Sequence, residues 1–211
     1  MARTLLLYYI TDRTQFSEND AAQRTLLLKK IAEAARFGLD YIQLREKDLS
    51  GRDLERLASE AMRAVRENSA STRLLINSRT DVALAVDADG VHLRSHDVLP
   101  TDIRSIWTAN RPCVIGLSCH TPEQVKRAAS EEADFVVFGP VFAKKDESAD
   151  ATGLAALRVA CQNNIPVFAL GWVTLENAKD CLAAGAAGIA GIRLFQENDI
   201  REVISWLRNS R

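Results

Sequence analysis

Short apolar runs and longer amphipathic stretches alternate along the chain from end to end. The runs at 5–11, 41–45, 74–77, 90–93, 114–118, 135–139, 165–170 and 187–192 predict strands. The stretches between them carry apolar residues three and four apart, the helical spacing. In 20–37, Leu27, Leu28, Ile31, Ala34 and Ala35 share one face, and Gly38 is placed to stop the helix. Beyond Ser50, a capping residue with Asp53 three positions on, Leu54, Leu57, Ala61 and Val65 form a second such face. Helices are also predicted at 80–86, 101–107, 153–162, 174–182 and 199–207. One more opens at Thr121, with Pro122 at its first position and Glu123 in its first turn.

The strand runs show little internal alternation, as parallel strands covered on both faces require. Strict strand–helix succession points the same way. The expected fold class is α/β, a single (β/α)₈ TIM barrel, with residues 1–211 as one domain. An open doubly wound sheet would use the same units, but no G-x-G-x-x-G follows the first strand. The longest predicted loop, 140–152, is polar and rich in charge.

Composition narrows the function classes. The chain has 211 residues, 47% hydrophobic and 26% charged, which is ordinary for a globular protein with a large core. A net charge of -1 gives no global electrostatic case for nucleic acid or an anionic membrane. No apolar run approaches the ~20 residues of a membrane-spanning helix. The first run is short and soon followed by charge, so it reads as a strand, not a signal. Cys113, Cys119, Cys161 and Cys181 show no C-x-x-C spacing, which argues against zinc. Their apolar settings read as small buried residues in a reducing cytoplasm.

A barrel carries its chemistry at the C-terminal ends of its strands. Those positions hold Thr11 and Asp12, then Gln43, Arg45 and Lys47, then Asn77, Ser78 and Arg79. His92, Arg94 and Asp97 follow, then Ser118 and His120, Lys144 and Lys145, Gly171 and Arg193. Cations and hydrogen-bond donors dominate a rim on a nearly neutral chain, which suits an anion. Alternation puts Gln43, Arg45 and Lys47 on one face, and a guanidinium beside an ammonium suits a phosphate or diphosphate. The alternative is that Arg45 pairs with Glu46 or Asp48 at the surface. From Gly171 to Arg193 the chain runs glycine turn, helix, strand, charged residue, like the barrel loops that often bind phosphate. Glycine lets backbone N–H groups approach an anion, and a helix N-terminus adds its dipole. His120 reads either as a general acid/base or as a hydrogen-bonded rim residue. His92, inside a strand, reads as structural, and His96 with Asp97 is too sparse for a metal centre.

Six motifs carry a family resemblance: Gln43-Leu44-Arg45-Glu46-Lys47, Ile76-Asn77-Ser78-Arg79, Gly90-Val91-His92-Leu93, Gly116-Leu117-Ser118-Cys119-His120, Gly139-Pro140-Val141-Phe142 and the closing Gly185-Ala186-Ala187-Gly188-Ile189-Ala190. In this order, over almost the whole chain, they resemble thiamine phosphate synthase and its relative, the TenI-type thiazole tautomerase. The resemblance implies a (β/α)₈ barrel that joins hydroxymethylpyrimidine diphosphate to thiazole phosphate, releasing pyrophosphate with Mg²⁺. It implies that Gln43, Arg45 and Lys47 contact the diphosphate substrate and Asn77 the pyrimidine. It further matches Asp97 to a Mg²⁺ ligand and Gly171 to the thiazole-phosphate loop. In the tautomerase relative the histidine matching His120 transfers protons. The family often dimerises, so a homodimer is compatible with the resemblance.

Five positions depart from the synthase pattern. Ser78 stands in place of the second metal carboxylate, and Arg94-Ser95-His96-Asp97 replaces Gly-Gln-Glu-Asp. Lys144-Lys145-Asp146-Glu147 replaces a Thr-x-[ST]-Lys loop. Trp172 replaces the second glycine of a Gly-Gly pair, and Arg193 replaces a serine. Three functions follow: a synthase with a remodelled phosphate site, a tautomerase using His120 without metal, or a silent barrel that binds a phosphorylated precursor. The synthase leads, with Arg45, Lys47 and His120 as catalytic candidates, Ser118 and Arg193 as further substrate contacts, and Arg193 compensating for Trp172 at the anion.

Overall fold

The computed structural model describes residues 5–16, 19–109, 111–143 and 151–209. Eight parallel strands close into a barrel: β1 (Leu6–Ile10), β2 (Tyr41–Leu44), β3 (Arg73–Asn77), β4 (Gly90–Leu93), β5 (Val114–Cys119), β6 (Phe135–Phe138), β7 (Val167–Ala169) and β8 (Gly188–Gly191). Each strand bonds to the next, and β8 returns to β1 with Leu6 opposite Gly188. Around them lie α1 (Asp20–Arg36), α2 (Gly51–Asn68), α3 (Thr80–Ala85), α4 (Pro100–Ile106), α5 (Pro122–Ser130), α6 (Gly153–Ala160), α7 (Ala178–Ala183), α8 (Arg193–Gln196) and α9 (Ile200–Asn209). The fold is the single (β/α)₈ TIM barrel expected. Among the described residues no helix is long and apolar enough to cross a membrane.

Among the described residues four helices start on side-chain caps their sequences offer, α9 on Asp199 Oδ1, which accepts from the N–H of Arg201 and Glu202. Asn19, Ser50 and Thr121 accept from the backbone N–H of Ala22, Asp53 and Gln124. Each such cap contributes about 1 kcal/mol. At α4 the proline decides instead: Pro100 takes the first helical position, with Leu99 before it and Thr101 already inside.

Strand alternation makes two cores. Leu7 and Tyr9 of β1 face outward with the helix residues Leu27, Ile31, Leu57 and Val65. Tyr8 and Ile10 face the barrel axis with Leu75, Phe135, Val137, Phe168 and Ala190. Tyr8 meets Phe135 edge-on, ring centroids 5.4 Å apart, and Phe168 at 5.8 Å. Each fully buried ring contributes roughly 1.5–3 kcal/mol of transfer free energy. Gly116 keeps this axis open: a Cβ there would lie 2.6 Å from Phe135 and 2.7 Å from His92 Nδ1.

Two segments differ from the pattern. The helix after β7 starts at Ala178, not 174. Asn177 Oδ1 accepts from Thr174 N–H at 2.8 Å, and Thr174 Oγ1 from Asn177 N–H at 3.4 Å, so these side chains hold a turn in place of a first helical turn. After β8, Arg193 opens the single turn α8 before α9, an element the apolar spacing does not announce. Lys144 and Lys145, with most of the predicted 140–152 loop, lie outside the described residues.

Candidate active site

One residue at the top of each strand builds the floor of a cavity of about 270 Å³. Ile10, Gln43, Asn77, His92, Ser118 and Val137 come from β1 to β6, and Leu170 and Ile192 stand just past β7 and β8. Arg45, Lys47, Arg94, Ser95, His96 and His120 form the wall above. Gln43 is buried and donates through Nε2 to Asn77 Oδ1 at 2.9 Å, which fixes two amides side by side.

β2 ends at Leu44, so Arg45 and Lys47 belong to the loop beyond the strand; they still face the same cavity as Gln43. The acids between and beside them turn away. Glu46 is buried, accepts from Thr11 Oγ1 at 2.5 Å and from Arg13 N–H at 3.0 Å. Burial pushes its carboxyl up, against the pull of those donors. Asp48 takes both its bonds from Arg13. The surface pairing of Arg45 with Glu46 or Asp48 is therefore not formed. Among the described residues neither Arg45 nor Lys47 has a carboxylate within salt-bridge distance. The Arg45 guanidinium, then burial and Arg94, hold the Lys47 ammonium below the usual lysine range. Asp12 pulls the other way, but two neighbouring cations with no ion-paired carboxylate among the described residues form a ready anion site.

His92 lies in the floor with Tyr8 OH 3.1 Å from Nδ1 and Ser118 Oγ 2.9 Å from Nε2. Burial, with Arg45 nearby, pushes its pKa down to about 3, so the ring is neutral. The buried Tyr8 hydroxyl has His92 as its hydrogen-bond partner and donates to it. His92 then donates from Nε2 to Ser118, which leaves the Ser118 hydroxyl proton for a ligand. His92 is thus structural, as expected, and it also orients Ser118.

His120 is exposed at the rim, and its Nδ1 lies 2.6 Å from the Gly139 carbonyl oxygen. A carbonyl accepts only, so Nδ1 carries the proton and the neutral ring keeps a free lone pair on Nε2. That is the arrangement a general base needs.

Asp97 is already engaged. Oδ2 accepts from Ser78 Oγ at 2.7 Å and from Arg94 N–H at 2.8 Å. Oδ1 accepts from Arg94 Nε at 3.1 Å and lies 2.9 Å from a terminal guanidinium nitrogen. Burial raises this carboxyl, but the Arg94 and Ser78 bonds outweigh it and leave it below the usual range. A magnesium ion wants several hard oxygen ligands in strict octahedral geometry. Among the described residues no group of three or more His, Cys, Asp or Glu could hold a metal ion. With one carboxylate, saturated, and a hydroxyl where a second was implied, the described residues do not fit a protein-held Mg²⁺.

A second cavity, about 680 Å³, opens over the β7 and β8 ends and shares Leu170 and Ile192 with the first. Gly171 has φ +102°, and a Cβ there would overlap Pro140. Its glycine is thus required by that close approach as well as by its turn. Trp172 follows in the left-handed region at φ +50°. Its ring lies 4.8 Å from the Arg193 guanidinium carbon, and Arg193 also approaches Glu197 at 3.6 Å. The two substitutions therefore shape one another. The helix dipole expected here is absent: α7 starts six residues past Trp172, at Ala178, and α8 is one turn long.

Sequence reasoning missed His96 as a cavity residue, the apolar ridge of Leu170 and Ile192, and the buried Arg13 that sorts the β2-loop charges. His96 had a signal, since it lies in the loop three residues past the end of β4. Arg13 also bonds Asp20, seven residues on, but the acids it sorts, Glu46 and Asp48, are 33 and 35 residues away and gave no signal.

Comparison with known proteins bears on this geometry. The sequence profile of the family described as thiamine monophosphate synthase matches residues 7–195. "Putative thiamine-phosphate synthase 2" of Aquifex aeolicus is 41% identical over 193 residues, covering 90% of this chain and 97% of that one. Thiamine-phosphate synthase of Roseiflexus sp. is 36% identical over 190 residues, 89% of this chain and 76% of that one. A solved structure, thiamine phosphate pyrophosphorylase from Pyrococcus furiosus, superposes with a TM-score of 0.80 at 31% identity, covering 98% of this chain and 95% of that chain. With this profile, these identities and this barrel, the chain belongs to the thiamine monophosphate synthase family.

Proposed function

We propose that the protein is a transferase that joins hydroxymethylpyrimidine diphosphate to thiazole phosphate, giving thiamine phosphate and pyrophosphate. The observation that carries this is the pair Arg45 and Lys47, without an ion-paired carboxylate among the described residues and facing one cavity with Gln43 and Asn77. The amide pair offers both donors and acceptors to a pyrimidine edge. Arg45 and Lys47 meet the diphosphate beside it. When the bond between the pyrimidine methylene and the diphosphate oxygen breaks, its electron pair leaves with pyrophosphate, and these cations hold the charge that develops. The thiazole nitrogen then supplies the lone pair for the new carbon–nitrogen bond. Its phosphate would lie in the adjoining cavity, near Gly171 and Arg193. Leu170 and Ile192 pack between the two sites and keep water from the cation. No step is routed through magnesium. The test is turnover of both substrates by the wild type and by the Arg45→Ala/Lys47→Ala variant. The wild type should form thiamine phosphate and the variant should lose at least ~100-fold in kcat/KM, two charge-assisted contacts being removed. Equal turnover by both would contradict the reading.

One observation favours a second activity, thiazole tautomerisation: Gly139 O holds the His120 proton on Nδ1, which makes Nε2 at the rim the acceptor nitrogen. His120→Ala would abolish that isomerisation while leaving synthase turnover measurable. Unchanged isomerisation in the variant excludes the role. A cytoplasmic location belongs to the same proposal and is supported by four free cysteines, each with its thiol pushed up by burial to about 11 or 12.

A further inference from the structure

Asp97 is gripped by a residue of its own loop. Arg94 lies three positions earlier, and its guanidinium reaches Asp97 Oδ1 through two nitrogens while its backbone N–H bonds Oδ2. Ser78 takes the remaining approach to Oδ2. Arg94 lines the cavity with Arg45 and Lys47; Asp97 does not line it. A guanidinium carries five N–H donors, so those not spent on Asp97 remain for an anion.

Charge is conserved in this arrangement. Two carboxylates around a divalent ion sum to zero, and so does one carboxylate around a guanidinium. A metal ion entering here would have to displace two Arg94 groups and a hydroxyl from Asp97. It would then sit beside a displaced cation, with one carboxylate in place of the usual ligand set. From this geometry we infer that Arg94, held on Asp97, stands where a divalent cation would, and that the protein binds a diphosphate without divalent metal. The inference rests on the proposed diphosphate site, since it assigns that site a third cation. It also explains why Ser78 is tolerated: with a guanidinium as the cation, a second carboxylate would leave an excess negative charge facing the ligand.

Isothermal titration with inorganic pyrophosphate, in EDTA and again with excess Mg²⁺, tests it. The expected result is binding in EDTA with a Kd within about threefold of the value in Mg²⁺. Arg94→Ser keeps the backbone N–H on Asp97 and replaces an exposed side chain, so the variant should fold, which its melting curve checks. It should weaken binding in EDTA about tenfold or more, the loss expected for a hydrogen bond between charged groups. Binding only in the presence of Mg²⁺ would overturn the inference and leave the diphosphate site standing. Unchanged affinity in Arg94→Ser would overturn it too. No pyrophosphate binding in either condition would overturn the diphosphate site itself, and the inference with it.

Discussion

Arg13 holds Asp48 with two guanidinium nitrogens, at 2.7 and 2.8 Å, one on each carboxylate oxygen. The same side chain lies 3.4 Å from Glu46 Oε2, and its bonds hold the Asp48 carboxyl below the usual carboxylate range. One buried arginine from the loop after β1 thus collects both acids of the loop after β2. The two cations of that loop, Arg45 and Lys47, are left facing the cavity. The charge pattern of the mouth is set from behind.

Arg13 should therefore matter more to stability than an ordinary surface arginine. Arg13→Met leaves Glu46, whose side chain is 1% exposed, without its counter-charge. Removing one partner of a buried pair costs about 3–5 kcal/mol. Urea unfolding of the variant should show a loss of that order, with Arg13→Met/Glu46→Gln recovering part of it. A loss under ~1 kcal/mol would mean Glu46 is protonated or solvated.

His92 predicts a pH dependence with a definite sign. Its folded pKa is about 3, below the ordinary 6.5. Between those values the unfolded chain binds a proton that the native state refuses. The stabilisation is present above pH 6.5 and is lost as pH falls toward 3, with a slope of at most about 1.4 kcal/mol per pH unit from this group. His92→Gln, which keeps hydrogen-bonding atoms and does not titrate, should flatten the curve in that window. Superimposable curves for the two proteins would contradict a neutral, buried His92.

Trp172 and Arg193 make a separate prediction. The left-handed backbone at Trp172 costs roughly 1–2 kcal/mol relative to glycine, and the cation–π contact returns about 0.5–1. Trp172→Gly should thus leave thermal stability nearly unchanged or slightly raised. Arg193→Ser should weaken thiazole phosphate binding about tenfold if the guanidinium reaches the phosphate. Equal affinity would leave the stack a structural feature only.

Much of this was legible along the chain, for local reasons. Strand and helix periodicities in 20–37 and 41–45 report burial directly, and caps such as Ser50 and Thr121 act within three residues. Gln43, Arg45 and Lys47 were readable as one face because alternation carries past the strand end. The start of α7 was not readable, since Thr174 and Asn177 are helix-compatible residues whose side chains bond the backbone instead. Nor was the state of Asp97: Arg94 lies only three residues earlier, but Ser78 comes from another loop, and only folding closes both onto one carboxylate. Arg13's sorting role was invisible because Glu46 and Asp48 are distant in sequence.

In the proposed reaction the cations freed by Arg13 serve a diphosphate leaving group. The most direct measurement of it is quantitative product analysis by mass spectrometry, with purified protein, hydroxymethylpyrimidine diphosphate and thiazole phosphate. Thiamine phosphate and pyrophosphate should accumulate in equal amounts. Consumption of neither substrate, or release of pyrophosphate without thiamine phosphate, would contradict it.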